Sequence, residues 1–310
     1  MNFSSADREA LAAAVRRLET PSLAGRLAAL AGKPVGFVQR ALPAAASTAV
    51  AKVAKHALER ALYVALYSLR DRRFTGGRKL HSGLACTSGA IGGAFGLAAL
   101  SVELPISTTI MLRAIAAIAQ HEGEDLADPR TGIACLEVFA LGAAAVKGGG
   151  PEGDYFAIRA QLAPSAIEVA DLAIDKTAVS ESAPVVVRFV SKIAARFGVV
   201  VSQKVMAQAV AAVGAFGGAA VNLAFIEHFQ NLAQGHFAIR RLERVYGAGV
   251  VRAEYDRLTS DLSGVKPNPR RPDLSRQVPS ELTTEAGERL PTRGGCDYLG
   301  PMSGRAGNAE

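Results

Sequence analysis

Three residues have the type and setting for acid–base or ionic chemistry: Glu103, Arg113 and His228. Glu103 opens the run Glu103-Leu-Pro-Ile-Ser-Thr-Thr. A carboxylate there is either an acid or ion-binding group at the mouth of a glycine-rich segment, or a negative charge set against the N-terminal dipole of a helix begun by Pro105. Arg113 stands among Ile110, Leu112, Ile115 and Ile118, where an unpaired guanidinium is costly to bury. It therefore needs an acidic partner, Glu103 or Glu137, and such a pair reads as structural before catalytic. His228 and His236 fall near one helical face with Phe225, Leu232 and Ile239. They lack the close spacing of a zinc helix and read as core or partner-facing residues. Asn222, Glu227 and Arg240, in the same long segment, complete the structural or functional polar positions.

Other chemistries find less support. His121, Glu122, Glu124, Asp125 and Asp128 form an acidic turn, but without the alternating ligands of a calcium loop it reads as a solvated connection. Ser107, Thr108 and Thr109 have no nucleophile elbow around them. The glycines from 89 to 96 lack the Lys-Ser/Thr of a phosphate loop and follow no strand. Cys86, Cys135 and Cys296 are odd in number and unpatterned, which fits neither a disulfide framework nor a zinc site. The reading is a reducing compartment, no metal and no cofactor. No nucleic-acid-binding module is present either.

The elements that must position these residues are helices. Hydrophobic residues make up 49% of the 310, Trp is absent and aromatics reach 6%, so the core must be built from Ala, Val, Leu and Ile. That composition favours closely packed helices over a β-sandwich. A helix is expected over 43–73, ending at Gly76 and Gly77, and another from Pro105 to about Gln120, stopped by Gly123. Asp128-Pro129 is an N-cap and first-turn pair for a helix reaching about Lys147. Further helices are expected over 155–179, broken near Pro164, over 184–197, and over 205–246, the last ended by Gly247. The runs 185–187 and 199–201 have β propensity but no hairpin chemistry, and are read as helix. From about Ser260 the chain turns to Pro, Gly and Ser, which predicts a disordered tail. Three regions follow: a basic helical region over 1–42, a helical domain over 43–258, and the tail over 259–310.

Charge and glycine are unevenly placed. The first 80 residues carry 14 Lys/Arg against 5 Asp/Glu, and the remainder is slightly acidic within an overall +7. Lys52, Lys55, Arg70, Arg72 and Arg73 are the expected membrane-facing cations. No apolar leader follows Met1, so no signal peptide is expected. Two uncharged stretches, 83–100 and 205–226, approach the length of a bilayer span. Each carries small residues four apart, a glycine-zipper spacing: Gly89 with Gly93, Gly92 with Gly96, and Gly214 with Gly218. These glycines are the expected helix-packing positions. Ala and Gly drive insertion weakly, so the stretches are read as core or monotopic helices before true spans, with spanning left open.

The run from Glu103 through Met-Leu-Arg113 and Glu122-Gly-Glu-Asp125 resembles the EcsC family of bacterial proteins. The resemblance continues through Cys135-Leu-Glu-Val-Phe-Ala-Leu-Gly142, Asp154-Tyr-Phe-Ala-Ile-Arg159, the Gly214 block with Asn222, and Gly235-His-Phe-Ala-Ile-Arg-Arg-Leu-Glu243. It covers about 50–258 and differs from the usual pattern in having Glu103 where Asp is common. It implies no established activity or cofactor. The expected function is a non-enzymatic, membrane-proximal accessory or scaffold for a transport or envelope process. The partner would be an anionic membrane surface or a membrane protein, and the location cytoplasmic, peripheral to the inner membrane. The alternative is a hydrolase or lipid-active enzyme built on Glu103, Arg113 and His228.

Overall fold

The computed structural model describes residues 3–19, 23–40, 42–69, 97–143, 155–174, 183–209 and 214–263. Among them 89% are helical and none is in a strand, as expected from a core built of small and aliphatic residues. The helices are α1 (Ser5–Glu19), α2 (Leu23–Ala31), α3 (Val35–Val38), α4 (Ala44–Tyr63), α5 (Leu97–His121), α6 (Pro129–Leu141), α7 (Tyr155–Ile174), α8 (Pro184–Gln208), α9 (Gly214–Tyr246) and α10 (Ala248–Ser263). All lie within one compact unit, Met1–Pro267.

Local signals set several helix ends. Asp128 caps α6 by accepting from the Arg130 backbone N–H at 2.8 Å, with Pro129 in the first turn, so an orphan donor is satisfied and the missing proline N–H costs nothing. Gly123 (φ +82°) ends the connection after α5, and Gly247 (φ +85°) separates α9 from α10. Both take the left-handed conformation that a Cβ disfavours.

Elsewhere tertiary packing overrides the local signal. Pro105 does not begin a helix: it lies inside α5. The cost of an interior proline is set against the burial of Leu100, Leu104, Met111, Leu112, Ile115 and Ala119 along one continuous helix. Glu103 is therefore mid-helix, and its reading as a dipole-facing carboxylate is wrong. Pro164 likewise fails to break α7, and α8 runs on past Phe197 to Gln208. The uncharged stretch 205–226 is not one helix, because α8 ends within it and α9 starts at Gly214. Helix α4 stops at Tyr63 and passes into a π-helical turn, Val64–Ser68, closed by Leu69 N–H donating to Val64 O at 3.0 Å. The helical chain extends to Ser263, past the boundary expected at 258. The rest of the tail, and residues 70–96 with Arg70, Arg72, Arg73, Gly89, Gly92, Gly93 and Gly96, lie outside the described residues.

Helix α9 is the common partner, packing against α1, α2, α5, α6, α8 and α10. Where α6, α8 and α9 meet, Phe139, Phe197, Phe225 and Phe229 pack edge-on or tilted with centroids 5.2 to 6.1 Å apart, a geometry that suits the ring quadrupoles. The zipper pair Gly214 and Gly218 falls in the first turns of α9, with Gly218 buried. Close approaches are described at two other glycines. A Cβ on Gly132 of α6 would sit 2.7 Å from the Ala65 carbonyl oxygen of the π-helical turn, and one on Gly235 of α9 would sit 2.8 Å from Leu18 Cγ and 3.2 Å from Ala14 O of α1.

These contacts give opposite expectations for two helical glycines. Gly132→Ala drives a methyl into a carbonyl that cannot rotate away and should cost about 1–3 kcal/mol. Gly198→Ala, inside α8 with nothing within 4 Å of the added carbon, should stabilise by about 0.5–1 kcal/mol. Urea unfolding of both variants checks the pair. An unchanged midpoint for Gly132→Ala would show that α6 and the π-helical turn do not touch there.

Candidate functional site

The most deeply buried charge is Lys204, with 0% of its surface exposed. The apolar face of α8 carries it into the centre: Phe197, Val200 and Val201 precede it there and Val205 follows. Its ammonium donates to Glu103 Oε1 of α5 at 2.6 Å and to Asn222 Oδ1 of α9 at 2.9 Å, and it lies 4.9 Å from the centroid of the Phe225 ring. Burial pulls the Lys204 pKa below the ordinary lysine value, and the Glu103 carboxylate opposes that pull. Three helices thus meet on one ion pair, with a neutral amide and a ring face completing the shell of the ammonium. On the same helices, Thr108 Oγ1 of α5 and the side chains of Gln203 and Gln208 of α8 hold buried polar atoms without hydrogen-bond partners.

A second polar cluster joins α7 to the middle of α9. Arg159 binds Glu243 through two parallel hydrogen bonds of 2.7 and 2.9 Å, and donates to the Tyr155 hydroxyl at 3.3 Å. Tyr155 lies 3.0 Å from His236 Nδ1. The imidazole tautomer sets which of the two donates. His236 Nε2 is buried and has no partner. Burial, helped by the positive charges of Arg159 and Arg240, holds the His236 pKa well below the usual histidine value. Burial also raises the Glu137 carboxyl, against the opposing pull of Arg159 and Arg240. Cys135 is fully buried and its thiol is pushed upward by the same desolvation, so it is no nucleophile.

A third group pins the end of α9 to the acidic turn. Arg240 binds Glu124 at 2.9 and 3.3 Å, and Arg244 also binds Glu124 and reaches the Glu122 carbonyl at 2.7 Å. Burial pushes the Glu124 carboxyl up, but the two arginines outweigh it and hold it below the ordinary range. Arg241 bridges Glu122 at 2.9 Å and Asp7 of α1 at 3.1 Å. Asp125 turns inward to accept from the Ala127 N–H at 2.9 Å. The carboxylates of this turn are spent on arginines and backbone.

The structure separates the three residues first proposed for catalysis. Glu103 is held by Lys204, not by Arg113. Arg113 donates to Ser68 Oγ of the π-helical turn at 3.1 Å. His228, half-buried, meets the Gly142 carbonyl at 3.4 Å, and burial lowers its pKa to about 4. Glu137 faces the field of Arg159 and Arg240, and Glu227 is bound by Arg26 of α2. Sequence reasoning missed Lys204, Arg159 and Glu243 as centres. Lys204 follows the apolar run Val199–Val201, and its place on the apolar face of α8 was the available signal. One described helix, Leu100–His121 within α5, is long and apolar enough to cross a membrane, and 61% of its apolar window is buried inside the protein.

The chain matches the model of the EcsC protein family over residues 6–242. This is most of its length and takes in every residue of the three clusters except Glu243 and Arg244. The chain belongs to the EcsC family. Neither curated proteins nor solved structures yield a match.

Two expectations follow. Lys204→Met leaves Glu103 buried without its cation and should cost about 3–5 kcal/mol, whereas Lys204→Met with Glu103→Leu should recover most of that loss. Equal instability of single and double variants in urea would show that the ion pair is not the term being measured. The second concerns acid. His236 is neutral when folded but titrates near 6.5 when unfolded, so below that pH the unfolded chain binds more protons. Stability should then fall on acidification, by up to about 1.4 kcal/mol per pH unit from this residue. Unfolding free energies at pH 7.5 and 5 for the parent and His236→Asn chains test this. The variant should lose that share of the slope, and parallel profiles would contradict it.

Proposed function

We propose that this EcsC-family chain works without catalysis, as a helical accessory or scaffold that rests on an anionic membrane surface and serves a transport or envelope process. The observation that carries this reading is how charge is divided between inside and outside. Inside, the three clusters close acids on bases: Glu103 with Lys204, Glu243 with Arg159, and Glu124 with Arg240 and Arg244, while the buried carboxyl of Glu137 stands apart from these pairs and is pushed upward by desolvation. A group used for proton transfer needs access to a substrate. Lys204, Tyr155 and His236 have at most 2% exposure, so the closed pairs favour scaffolding over the enzyme alternative.

Outside, α4 presents the opposite arrangement. Lys52, His56, Arg60 and Tyr63 of α4 and Tyr67 of the π-helical turn that follows are exposed, and at 3.6 residues per turn the four α4 residues fall within about a quarter of the helix circumference. Tyr63 and Tyr67 lie 4.9 Å apart, centroid to centroid. Lys55, also on α4, is half-buried and 3.9 Å from Glu59, so it belongs to the edge of the stripe. Cations beside a pair of tyrosines match the interfacial layer of an anionic bilayer, where the rings sit at headgroup level and the charges meet phosphates.

Flotation with phosphatidylserine-containing and purely zwitterionic vesicles tests the reading. The protein should bind only the anionic vesicles at low salt and be released by high salt or alkaline carbonate. Lys52→Gln with Arg60→Gln should weaken binding by roughly thirtyfold, at about 1 kcal/mol per cation. Equal binding to both vesicle types, or no response to the two substitutions, would remove the electrostatic docking. Retention after carbonate would point to inserted helices instead.

A further inference from the structure

Between α2 and α3 the chain turns a tight corner. Helix α2 ends where Gly32 takes φ +60°. The Gly32 N–H donates to Ala29 O at 3.2 Å and the Lys33 N–H to Ala28 O at 3.0 Å, the paired closure that a left-handed residue permits. Pro34 cannot continue the helix, and its carbonyl accepts from the Phe37 N–H at 2.9 Å. The inner side of the corner is fixed, because Leu27, Ala31 and Val38 are buried and both helices pack on α8. Its outer side stands clear. Leu30 and Val35 keep 45% and 41% of their surface exposed, and Gly32, Pro34 and Gly36 are exposed with them. A Cβ on either glycine would meet nothing within 4 Å.

The charges around this apolar tip have one sign. Lys33 and Arg40 are exposed, and neither forms an ion pair among the described residues. The Arg40 guanidinium lies 5.7 Å from the centroid of the Phe37 ring, which keeps a cation beside the half-buried aromatic. Between Glu19 and Glu59 the sequence holds no Asp or Glu, but it holds Arg26, Lys33, Arg40, Lys52 and Lys55. Glu227 of α9 meets α2 at Arg26, which neutralises it. Single exposed aliphatics are common on any surface. An aliphatic residue on each side of an exposed lysine, in a segment without acids, is a narrower combination.

We infer that the α2–α3 corner inserts Leu30 and Val35 into the acyl-chain boundary of an anionic bilayer, with Lys33 and Arg40 held at the phosphates. Insertion presupposes the anionic-surface docking proposed for α4 and adds a point of penetration to it, on the segment that leads into α4 through Arg40. Apolar side chains beside cations match the two layers that such a bilayer presents, hydrocarbon below and anionic headgroups above. The closed backbone of the turn matters as much, since a peptide group carried towards hydrocarbon must bring its hydrogen bond with it. A protein partner would have to combine an apolar pocket with an acidic rim at the same spacing.

Trp is absent from the chain, so Val35→Trp in the full-length protein gives a single emitter at the tip. On vesicles containing phosphatidylserine its emission should shift to the blue and be quenched by bromine atoms on the acyl chains. Leu30→Trp should behave alike, whereas Val245→Trp, exposed at the far end of α9, should remain unquenched. In the parent chain, Leu30→Ser with Val35→Ser should weaken vesicle binding about tenfold at every salt concentration. Lys33→Gln with Arg40→Gln should instead flatten the salt dependence. Protein that floats with anionic vesicles while both corner tryptophans escape quenching overturns insertion and leaves the docking of α4 standing. Protein that floats with no vesicle removes the docking and the insertion together. Equal quenching at residue 245, unchanged affinity of the double serine variant, or a blue shift that follows protein concentration without vesicles and so marks a second copy as the occupant, each overturns the proposal.

Discussion

An ammonium group in an alkyl core has few places to be, and the positions of three helices follow from where Lys204 goes. Its charge is bearable only against Glu103, and its remaining hydrogens need an acceptor such as Asn222. The three residues belong to α5, α8 and α9, so a slip of any of these helices by one residue would turn a partner away and leave a bare charge. The apolar contacts around it, from the Phe139, Phe197, Phe225 and Phe229 cluster to the aliphatic face of α5, supply more energy but less discrimination. Aliphatic side chains tolerate several registers; the ion pair tolerates one.

Helix α9 extends this constraint along the molecule. Near its start it carries Asn222 and the phenylalanines, in its middle Gly235 and His236, and towards its end Glu243 and the arginines that hold the acidic turn. Each segment binds a different neighbour by a different device: a buried ion pair, a backbone approach permitted by the missing Cβ, and a fan of arginines. The glycine at 235 lets α1 come close enough for Ala14 and Leu18 to rest on the α9 backbone. This brings Asp7 at the start of α1 within reach of Arg241 and Tyr246. Packing and electrostatics at this end are therefore one arrangement.

The same closure explains why the interior offers so little chemistry. Tyr155, His236, Arg159 and Glu243 form a chain of hydrogen bonds of the sort that moves protons in enzymes, yet burial keeps the imidazole neutral and the carboxylate is fully engaged by the guanidinium. The surface adds the stripe of exposed cations and tyrosines along α4 and the π-helical turn that follows it.

The sequence by itself determined the helical class, the small-residue core, the ends of helices at Gly123, Asp128 and Gly247, and membership of the EcsC family through motifs spread along the chain. These are legible because helix starts and stops are decided within a turn, by capping oxygens and by the left-handed backbone that glycine allows. Partner choice was not legible. Glu103 and Lys204 are separated by 101 positions, and nothing near either residue says which other charge it meets, so Arg113 looked an equally good match. Nor did the sequence single out Gly132 and Gly235, whose tight approaches to Ala65 and to Ala14 and Leu18 depend on which segment crosses where the Cβ is missing. The passage of α5 through Pro105 was likewise settled by tertiary structure. The local cost of a proline is a few kcal/mol, and the burial of a long apolar face on several neighbouring helices outweighs it.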